Sequence, residues 1–230
     1  MAFYVEGAGP AVALLQGGPG LNSASLAPVA ELLRHGFRVV RFDHVASTVD
    51  GLVNEIEKVR EALGEEHWFV LGHSWGAAIA ALYTAKYPAR ATGLVLVHPL
   101  EVASTFCDEG DCAAEVPTPE TDDRFTVEHA PDVAEALWED LQAAYPDKTG
   151  EGYDLTAVAR QITRPGLVLL GERDGIDQRS GQFWAELTGA RLVSLPDAGH
   201  WSFVEQPQPF QKAVVEFLLA HATRRTTAAA

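Results

Sequence analysis

The sequence is poor in cysteine, and its two cysteines stand close together. Cys107 and Cys112 are too few for a disulfide framework, and no histidine or second cysteine pair lies near them at the spacing of a zinc site. A bridge between residues this close is the alternative to two reduced thiols. We predict reduced thiols and no bound metal.

Basic residues and long apolar runs are also scarce. The chain has 17 Lys and Arg against 32 Asp and Glu, a net charge of -15, which argues against a nucleic acid or an anionic membrane surface as partner. The amino terminus lacks the basic and apolar regions of a signal peptide, and no apolar run reaches membrane-spanning length. These absences predict a cytoplasmic location, and they leave the oligomeric state open.

Short apolar runs alternate with turns and helical patterns over most of the chain. This alternation predicts a single α/β domain with a mostly parallel sheet and helices on both faces. The predicted strands are 12–16, 37–42, 68–72, 93–97, 166–170 and 191–195, with an edge strand at 2–6. The predicted helices are 53–63, 77–87, 131–145 and 208–221.

The strand and helix rhythm breaks in the middle of the chain. We predict that residues 1–98 and 166–222 form the core, that 99–165 form a short inserted lid, and that 223–230 form a flexible tail. The lid contains an acidic stretch at 108–123, and structureless segments of this length are functional or disordered in compact domains.

Gly72-His73-Ser74-Trp75-Gly76 lies directly after a predicted strand and directly before a predicted helix. This is the context of a nucleophile elbow, in which a strained turn lifts the serine hydroxyl above the sheet edge. Glycines flank the serine because side chains there would collide with neighbouring backbone. The motif predicts Ser74 as a nucleophile.

A serine nucleophile needs a base, and the base needs a carboxylate to fix its tautomer. Asp174 follows the strand at 166–170 and His200 follows the strand at 191–195, so both should lie at the carboxyl edge of the sheet. Singly, Asp174 could be a turn residue and His200 a half-buried histidine. Together with Ser74 they stand in the chain order typical of α/β-hydrolases.

Acyl transfer also needs backbone N-H donors for an oxyanion. Trp75, at the start of the elbow helix, can supply one, and Gly18 in the glycine-rich loop at 17–20 can supply the other. A phosphate-binding loop is disfavoured, because no Lys-Ser/Thr pair follows and the G-x-G-x-x-G spacing is absent.

With these residues in view, the sequence resembles the α/β-hydrolase superfamily along nearly its whole length, and within it the prolyl aminopeptidase-like branch. The segment QGGPG at 16–20 is similar to the His-Gly-Gly-Pro-Gly loop of that branch, and GHSWG at 72–76 is similar to its elbow. The resemblance implies the triad Ser74, Asp174 and His200, with Gly18 and Trp75 as oxyanion donors.

The sequence departs from that branch in three ways. Gln16 replaces the usual histidine, the loop after 41–43 is deleted, and the predicted lid is far shorter than the helical cap that holds a peptide's free amino group. None of the acidic lid residues aligns with the cap residues; they are Glu101, Asp108, Glu109, Asp111 and Glu115. Substrate specificity therefore does not transfer with the fold.

The favoured function is hydrolysis of a small ester, thioester or amide through an acyl-enzyme at Ser74, with an aminopeptidase-like activity as one version. The mechanism needs no cofactor or metal, and a small-molecule substrate is the predicted partner. The predicted apolar walls are Leu21, Trp75, Phe106, Trp138 and Trp201.

Two alternatives remain open from the sequence. One is a natural-product tailoring enzyme that performs lactone or thioester chemistry, a cyclisation or a non-hydrolytic step. The other is a non-catalytic member of the fold that binds a ligand. Epoxide hydrolysis and dehalogenation are disfavoured because their ester mechanism needs a carboxylate at position 74.

Overall fold

The computed structural model describes residues 3–104, 130–176 and 178–222. Its centre is a seven-stranded sheet in the order β1-β3-β2-β4-β5-β6-β7. All neighbouring strands run parallel except the edge strand β1, which pairs with β3 antiparallel. The predicted α/β fold, with a mostly parallel sheet, is confirmed.

The strands are β1 (Phe3–Glu6), β2 (Ala11–Leu15), β3 (Arg38–Phe42), β4 (Trp68–His73), β5 (Ala91–Val97), β6 (Gly166–Gly171) and β7 (Arg191–Leu195). A 3-10 turn covers Ser23–Leu26, and the helices are α1 (Ala27–Leu33), α2 (Val49–Ala62), α3 (Trp75–Lys86), α4 (Pro131–Ala144), α5 (Thr156–Ala159), α6 (Gln178–Thr188), α7 (Ser202–Glu205) and α8 (Pro207–Ala222). Within the described ranges, no helix is both long and apolar enough to cross a membrane.

The apolar residues of the strands alternate between the two faces of the sheet. On β2, Val12 and Leu14 belong to one buried cluster with α1 and α8, whereas Ala13 and Leu15 belong to the other, with α2, α3 and α6. Alternation of this kind follows from the two-residue period of a strand. Helices therefore cover both faces, as a parallel sheet requires.

Most predicted strands match the structure to within two residues, but several helices differ. Helix α2 starts at Val49 rather than at residue 53, because the Thr48 side chain accepts a hydrogen bond from the Gly51 N-H and caps the helix. Helices α1, α5, α6 and α7 were not predicted. In α6, Gly181 packs so tightly on Leu170 that a β-carbon there would collide with the leucine side chain. Tertiary packing thus explains a glycine that weakens the helical pattern.

Helix α4 is docked on the core by apolar and polar contacts. Leu137 and Leu141 are buried, and the ring of Trp138 lies edge-on against that of Trp75 at 4.8 Å between centroids. The Asp140 carboxylate accepts a hydrogen bond of 2.6 Å from the Val49 N-H, the first residue of α2. The acidic stretch at 108–123 and the tail at 223–230 lie outside the described residues.

We expect the sheet core to dominate stability. Leu14 is completely buried on β2, so Leu14→Ala should lower the free energy of unfolding by about 2 to 5 kcal/mol. Leu192 on β7 is 40% exposed, and Leu192→Ala should cost less than about 1 kcal/mol. Urea unfolding of both variants measures the difference, and equal losses would contradict this description of the core.

Candidate functional site

Ser74 occupies the single residue between β4 and α3. Its backbone has φ 55° and ψ -122°, a strained conformation for a residue with a side chain. A β-carbon at Gly72 would collide with the Gly76 carbonyl, and one at Gly76 would collide with the Leu15 carbonyl. Both glycines are therefore needed for this turn, which is the geometry predicted for the elbow.

The glycine-rich loop after β2 lies against this turn. A β-carbon at Gly17 would stand 3.1 Å from the Ser74 Cβ. Gly18 has φ 111°, in the region that favours glycine. Trp75 is the first residue of α3, and N-H groups at this position have no partner within a helix. The two predicted oxyanion donors thus belong to segments that flank Ser74.

Asp174 and His200 are in direct contact. The Nδ1 atom of His200 lies 3.1 Å from Oδ1 and 3.2 Å from Oδ2 of Asp174. The Asp174 side chain has no exposed surface, and Oδ1 also accepts a hydrogen bond of 3.1 Å from the Ile176 N-H. Burial alone would raise the pKa of this carboxyl, but hydrogen bonds from His200 and His98 outweigh burial and hold the pKa far below its usual value.

Two further histidines surround His200. Its ring centroid is 4.7 Å from that of His73 and 5.4 Å from that of His98. The His73 Nε2-H donates to the backbone carbonyl of His200 at 2.9 Å, which ties the end of β4 to the loop after β7. Within the described ranges, Ser74 makes no side-chain hydrogen bond to His200. Such contacts are often long in ligand-free sites and tighten when substrate binds.

His98 was not singled out from the sequence. It follows β5 directly, has φ 48° and is fully buried. Its Nδ1 lies 2.6 Å from Asp174 Oδ2, and its Nε2 lies 2.7 Å from the Ser202 hydroxyl. The signal that could have found it is its place immediately after a predicted parallel strand, at the edge that carries Ser74, Asp174 and His200.

His98, Asp174 and His200 have ligand-type atoms within 4.8 Å of one another. Both Nδ1 atoms face the same carboxylate, and the remaining nitrogen of His98 is bonded to Ser202. Both nitrogens of His98 and the Nδ1 atom of His200 are thus engaged in hydrogen bonds inside a buried network. The arrangement suits proton-bearing groups around an anion better than a metal shell.

A cavity of about 470 Å³ opens beside the elbow. Its lining combines the loop after β2, the segment after β3 and the start of α4; the residues are Gln16, Gly17, Gly20, Leu21, Asn22, Asp43, His44, Val45, Ala46, Leu52, Trp75, Ala130, Val133 and Leu137. This wall is mostly apolar, and its described part contains no lysine or arginine. An uncharged or cationic ligand therefore suits the cavity better than an anion.

The predicted wall residues are distributed differently. Leu21 and Trp75 line the cavity, but Trp138 is not among its lining residues and packs against Trp75. Trp201 is also absent from the lining and lies with its ring 4.8 Å from that of His73. Phe106 lies outside the described residues.

The polar part of the cavity wall comes from positions that the sequence analysis did not assign to the pocket. Asp43 follows β3, and its Oδ1 accepts a hydrogen bond of 2.8 Å from the Ser23 N-H. Gln16 is only 3% exposed, and its Oε1 has no hydrogen-bond partner in the described part of the chain. His44 is 3.3 Å from the Glu55 carboxylate. The wall therefore offers more acceptors than fixed cations.

Comparisons with known proteins agree with this fold. A family model described as "alpha/beta hydrolase fold" matches residues 10–113. The proline iminopeptidase of Saccharolobus solfataricus is 22% identical over 269 aligned positions, which cover 94% of this chain and 87% of that protein. Among solved structures, the proline iminopeptidase of Mycobacterium smegmatis has a TM-score of 0.72 at 19% identity and covers 96% of this chain and 94% of its own. A hydrolase from Pseudomonas aeruginosa PA01 has a TM-score of 0.74 at 23% identity, with 94% and 93% covered.

The sheet, the elbow and these comparisons define an α/β-hydrolase fold. Within that class, the similarity to proline iminopeptidases supports the prolyl aminopeptidase-like branch. The predicted resemblance to that branch is thereby confirmed.

The buried histidines predict a pH-dependent stability. Burial lowers the pKa of His73 well below its usual value, and the neighbouring His200 and His98 lower it further. Below about pH 6.5 the unfolded chain therefore binds a proton that the folded protein does not. We expect the free energy of unfolding to fall by up to about 1.4 kcal/mol per pH unit for this histidine as pH drops from about 7.5 to about 5.5. His73→Asn should reduce this slope in urea unfolding, and an unchanged slope would contradict the assignment.

Proposed function

We propose that the chain is a serine hydrolase that cleaves a small ester, thioester or amide through an acyl-enzyme at Ser74. The observation that carries the proposal is the strained turn that presents Ser74 beside the hydrogen-bonded pair of Asp174 and His200. These three residues arise at the ends of β4, β6 and β7, which share one edge of the sheet.

In the proposed reaction, the Ser74 Oγ attacks the substrate carbonyl while His200 Nε2 takes the hydroxyl proton. The ionised Asp174 accepts the Nδ1-H of His200, which leaves Nε2 free to act as base. Collapse of the tetrahedral intermediate transfers that proton to the leaving group. Water activated by the same histidine then hydrolyses the acyl-enzyme and regenerates the serine.

The negative oxygen of the intermediate requires donors that are already in place. The Trp75 N-H belongs to the first turn of α3, where the helix dipole also favours negative charge. The Gly18 N-H is the proposed second donor, because its loop packs so closely on the elbow that a β-carbon at Gly17 would stand only 3.1 Å from the Ser74 Cβ. The two donors would approach the oxyanion from opposite segments.

The cavity beside the elbow is the proposed substrate pocket. Trp75 lines it, so the pocket adjoins the proposed oxyanion site. Val133 and Leu137 of α4 line it together with Ala130 directly before the helix, so the described part of the predicted lid forms a wall of the pocket. The apolar share of the wall suits a hydrophobic group of the substrate.

A positively charged amine on the substrate is favoured by the wall beside β3. One carboxylate oxygen of Asp43 accepts a hydrogen bond from the Ser23 N-H, and the other oxygen has no hydrogen-bond partner within the described ranges. The similarity to proline iminopeptidases supports an amine-bearing amide as the first substrate to test. In this version, Asp43 replaces the acidic cap residues that the short segment at 99–165 lacks.

The serine mechanism is tested with p-nitrophenyl esters, aminoacyl p-nitroanilides and acyl thioesters on wild type and Ser74→Ala. We expect activity on one class, lowered roughly 10⁴-fold or more by the substitution. Ser180→Ala is the matched control, because Ser180 is a buried serine that bonds to the carbonyls of Pro99 and Leu100 instead. Retained activity in Ser74→Ala would contradict the mechanism.

A fluorophosphonate probe separates the alternatives. Labelling of wild type and no labelling of Ser74→Ala would support an activated serine. Labelling combined with activity on lactones or thioesters alone would favour the tailoring function. A folded wild-type protein that takes up no probe and cleaves no substrate would favour a ligand-binding protein.

The amine version is tested by Asp43→Asn, which keeps an oxygen for the Ser23 N-H but removes the charge. We expect kcat/KM for an aminoacyl p-nitroanilide to fall roughly 10-fold, because a partly buried ion pair contributes about 1 to 2 kcal/mol. The N-acetylated substrate should be affected less than about 2-fold by the loss of charge. Glu186→Gln, on the exposed side of α6, controls for net charge. Equal effects on both substrates would contradict amine recognition by Asp43.

A further inference from the structure

We propose that His98 is a positioning residue that holds the Asp174 carboxylate in the orientation in which it accepts the Nδ1 proton of His200. The proposal rests on the proposed triad for its catalytic consequence. The hydrogen bond that His98 donates to Asp174 can be tested whether or not the protein catalyses a reaction.

The contacts of His98 identify the ring nitrogen that carries the proton. Nδ1 is 2.6 Å from Asp174 Oδ2, and Asp174 is ionised because hydrogen bonds hold its pKa low. A contact this short to a carboxylate requires an N-H, so the proton is on Nδ1. The Gly171 N-H also points at Nδ1. This contact is 3.3 Å long and involves no charged group, so it is weaker than the 2.6 Å contact with the Asp174 carboxylate.

The other ring nitrogen of His98 contacts a serine hydroxyl. Nε2 of His98 is 2.7 Å from Ser202 Oγ, at the start of α7. A neutral ring with its proton on Nδ1 accepts at Nε2, so the Ser202 hydroxyl donates to it. Burial also lowers the pKa of His98, and Asp174 opposes that shift without cancelling it. The ring is therefore neutral. The Asp174 carboxylate, which can only accept, fixes the tautomer with the proton on Nδ1, and the Ser202 hydroxyl anchors Nε2 by donating to it.

The backbone of His98 is held in an unusual conformation. A φ of 48° is uncommon for a histidine and persists only when the surroundings enforce it. The His98 N-H donates to the Leu169 carbonyl at 2.8 Å, which fixes the residue to the end of β6. Asp174 lies five residues after Leu169 and three residues after the end of β6. The strained backbone thus aims the imidazole at the loop that carries the carboxylate.

The consequence is a carboxylate with donors on both oxygens. His98 holds Oδ2, the Ile176 N-H holds Oδ1, and His200 lies across both. Without the His98 donor, the carboxylate could rotate about its Cβ-Cγ bond and lose its alignment with His200.

The tautomer is measured directly by long-range proton-nitrogen NMR correlations on protein labelled with ¹⁵N-histidine. The chain has eight histidines, and the spectrum of His98→Asn assigns the missing ring. We expect His98 to be neutral with its proton on Nδ1 at about pH 7, and Ser202→Ala to disturb its signals. A proton on Nε2, or a cationic ring, would overturn the proposal whether or not the protein is a hydrolase.

The kinetic consequence is measured with two substitutions at the same site. His98→Asn keeps an N-H donor near the position of Nδ1 and tolerates a positive φ, so it should retain kcat within about 5-fold. His98→Leu removes the donor and should lower kcat about 10- to 100-fold with KM changed less than about 2-fold, the size seen for outer partners of other catalytic groups. Circular dichroism and thermal unfolding select the folded variants for this comparison.

The outcomes separate this proposal from the proposed function. Full activity in Ser74→Ala removes the triad mechanism but leaves the His98 tautomer to be decided by NMR. Loss in Ser74→Ala with equal kcat in wild type, His98→Asn and His98→Leu would overturn the positioning role alone. If His98→Leu does not fold, Ser202→Ala takes its place. It removes the hydrogen bond that anchors Nε2 of His98, so kcat should fall about 3- to 10-fold, and an unchanged kcat would contradict the positioning role.

Discussion

The site depends on one physical constraint, which is that an ionised carboxylate removed from water needs hydrogen-bond donors of its own. Asp174 has a side chain with no exposed surface, and its donors come from three different segments. His98 arrives from β5, Ile176 from the carboxylate's own loop and His200 from the loop after β7. Strand order places β5, β6 and β7 side by side, so the sheet topology is what makes this convergence possible.

The same strand order connects this network to the nucleophile. β4 neighbours β5, and its last residue His73 bonds to the backbone of His200 across the site. Ser74 is therefore attached to a strand that is itself tied to the loop of the proposed base. The strained turn at Ser74 is maintained by this surrounding structure rather than by the turn alone.

The strands and the turn at Ser74 could be predicted from the sequence, because each depends on residues that are close together in the chain. The elbow has two glycines at fixed offsets from Ser74, and each buried strand is a short apolar run followed by polar residues. Those signals located the strands, and they placed Asp174 and His200 at strand ends, where the structure brings them into contact.

Other features depend on contacts between distant residues and leave little local trace. His98 stands in an apolar context followed by proline, and only its proximity to Asp174, 76 positions away, gives it a role. Trp138 and Trp201 looked like pocket walls because they are aromatic and lie in the right segments. Both instead pack on other rings, Trp75 and His73, because large aromatic side chains contribute most when they are buried. The polar wall at Asp43 was hidden because its segment was interpreted only as a deleted loop.

The bond between Asp140 and the first N-H of α2 has a consequence for how a ligand reaches the cavity. That carboxylate acts as a cap supplied from another helix, so α4 and the positive end of α2 stabilise each other electrostatically. An outward movement of α4 would leave the Val49 N-H without its hydrogen-bond acceptor. It would also expose the buried side chains of Leu137 and Leu141. Helix α4 therefore stays in place when a ligand binds. We expect the ligand to enter the cavity past the side of α4, without displacement of the helix.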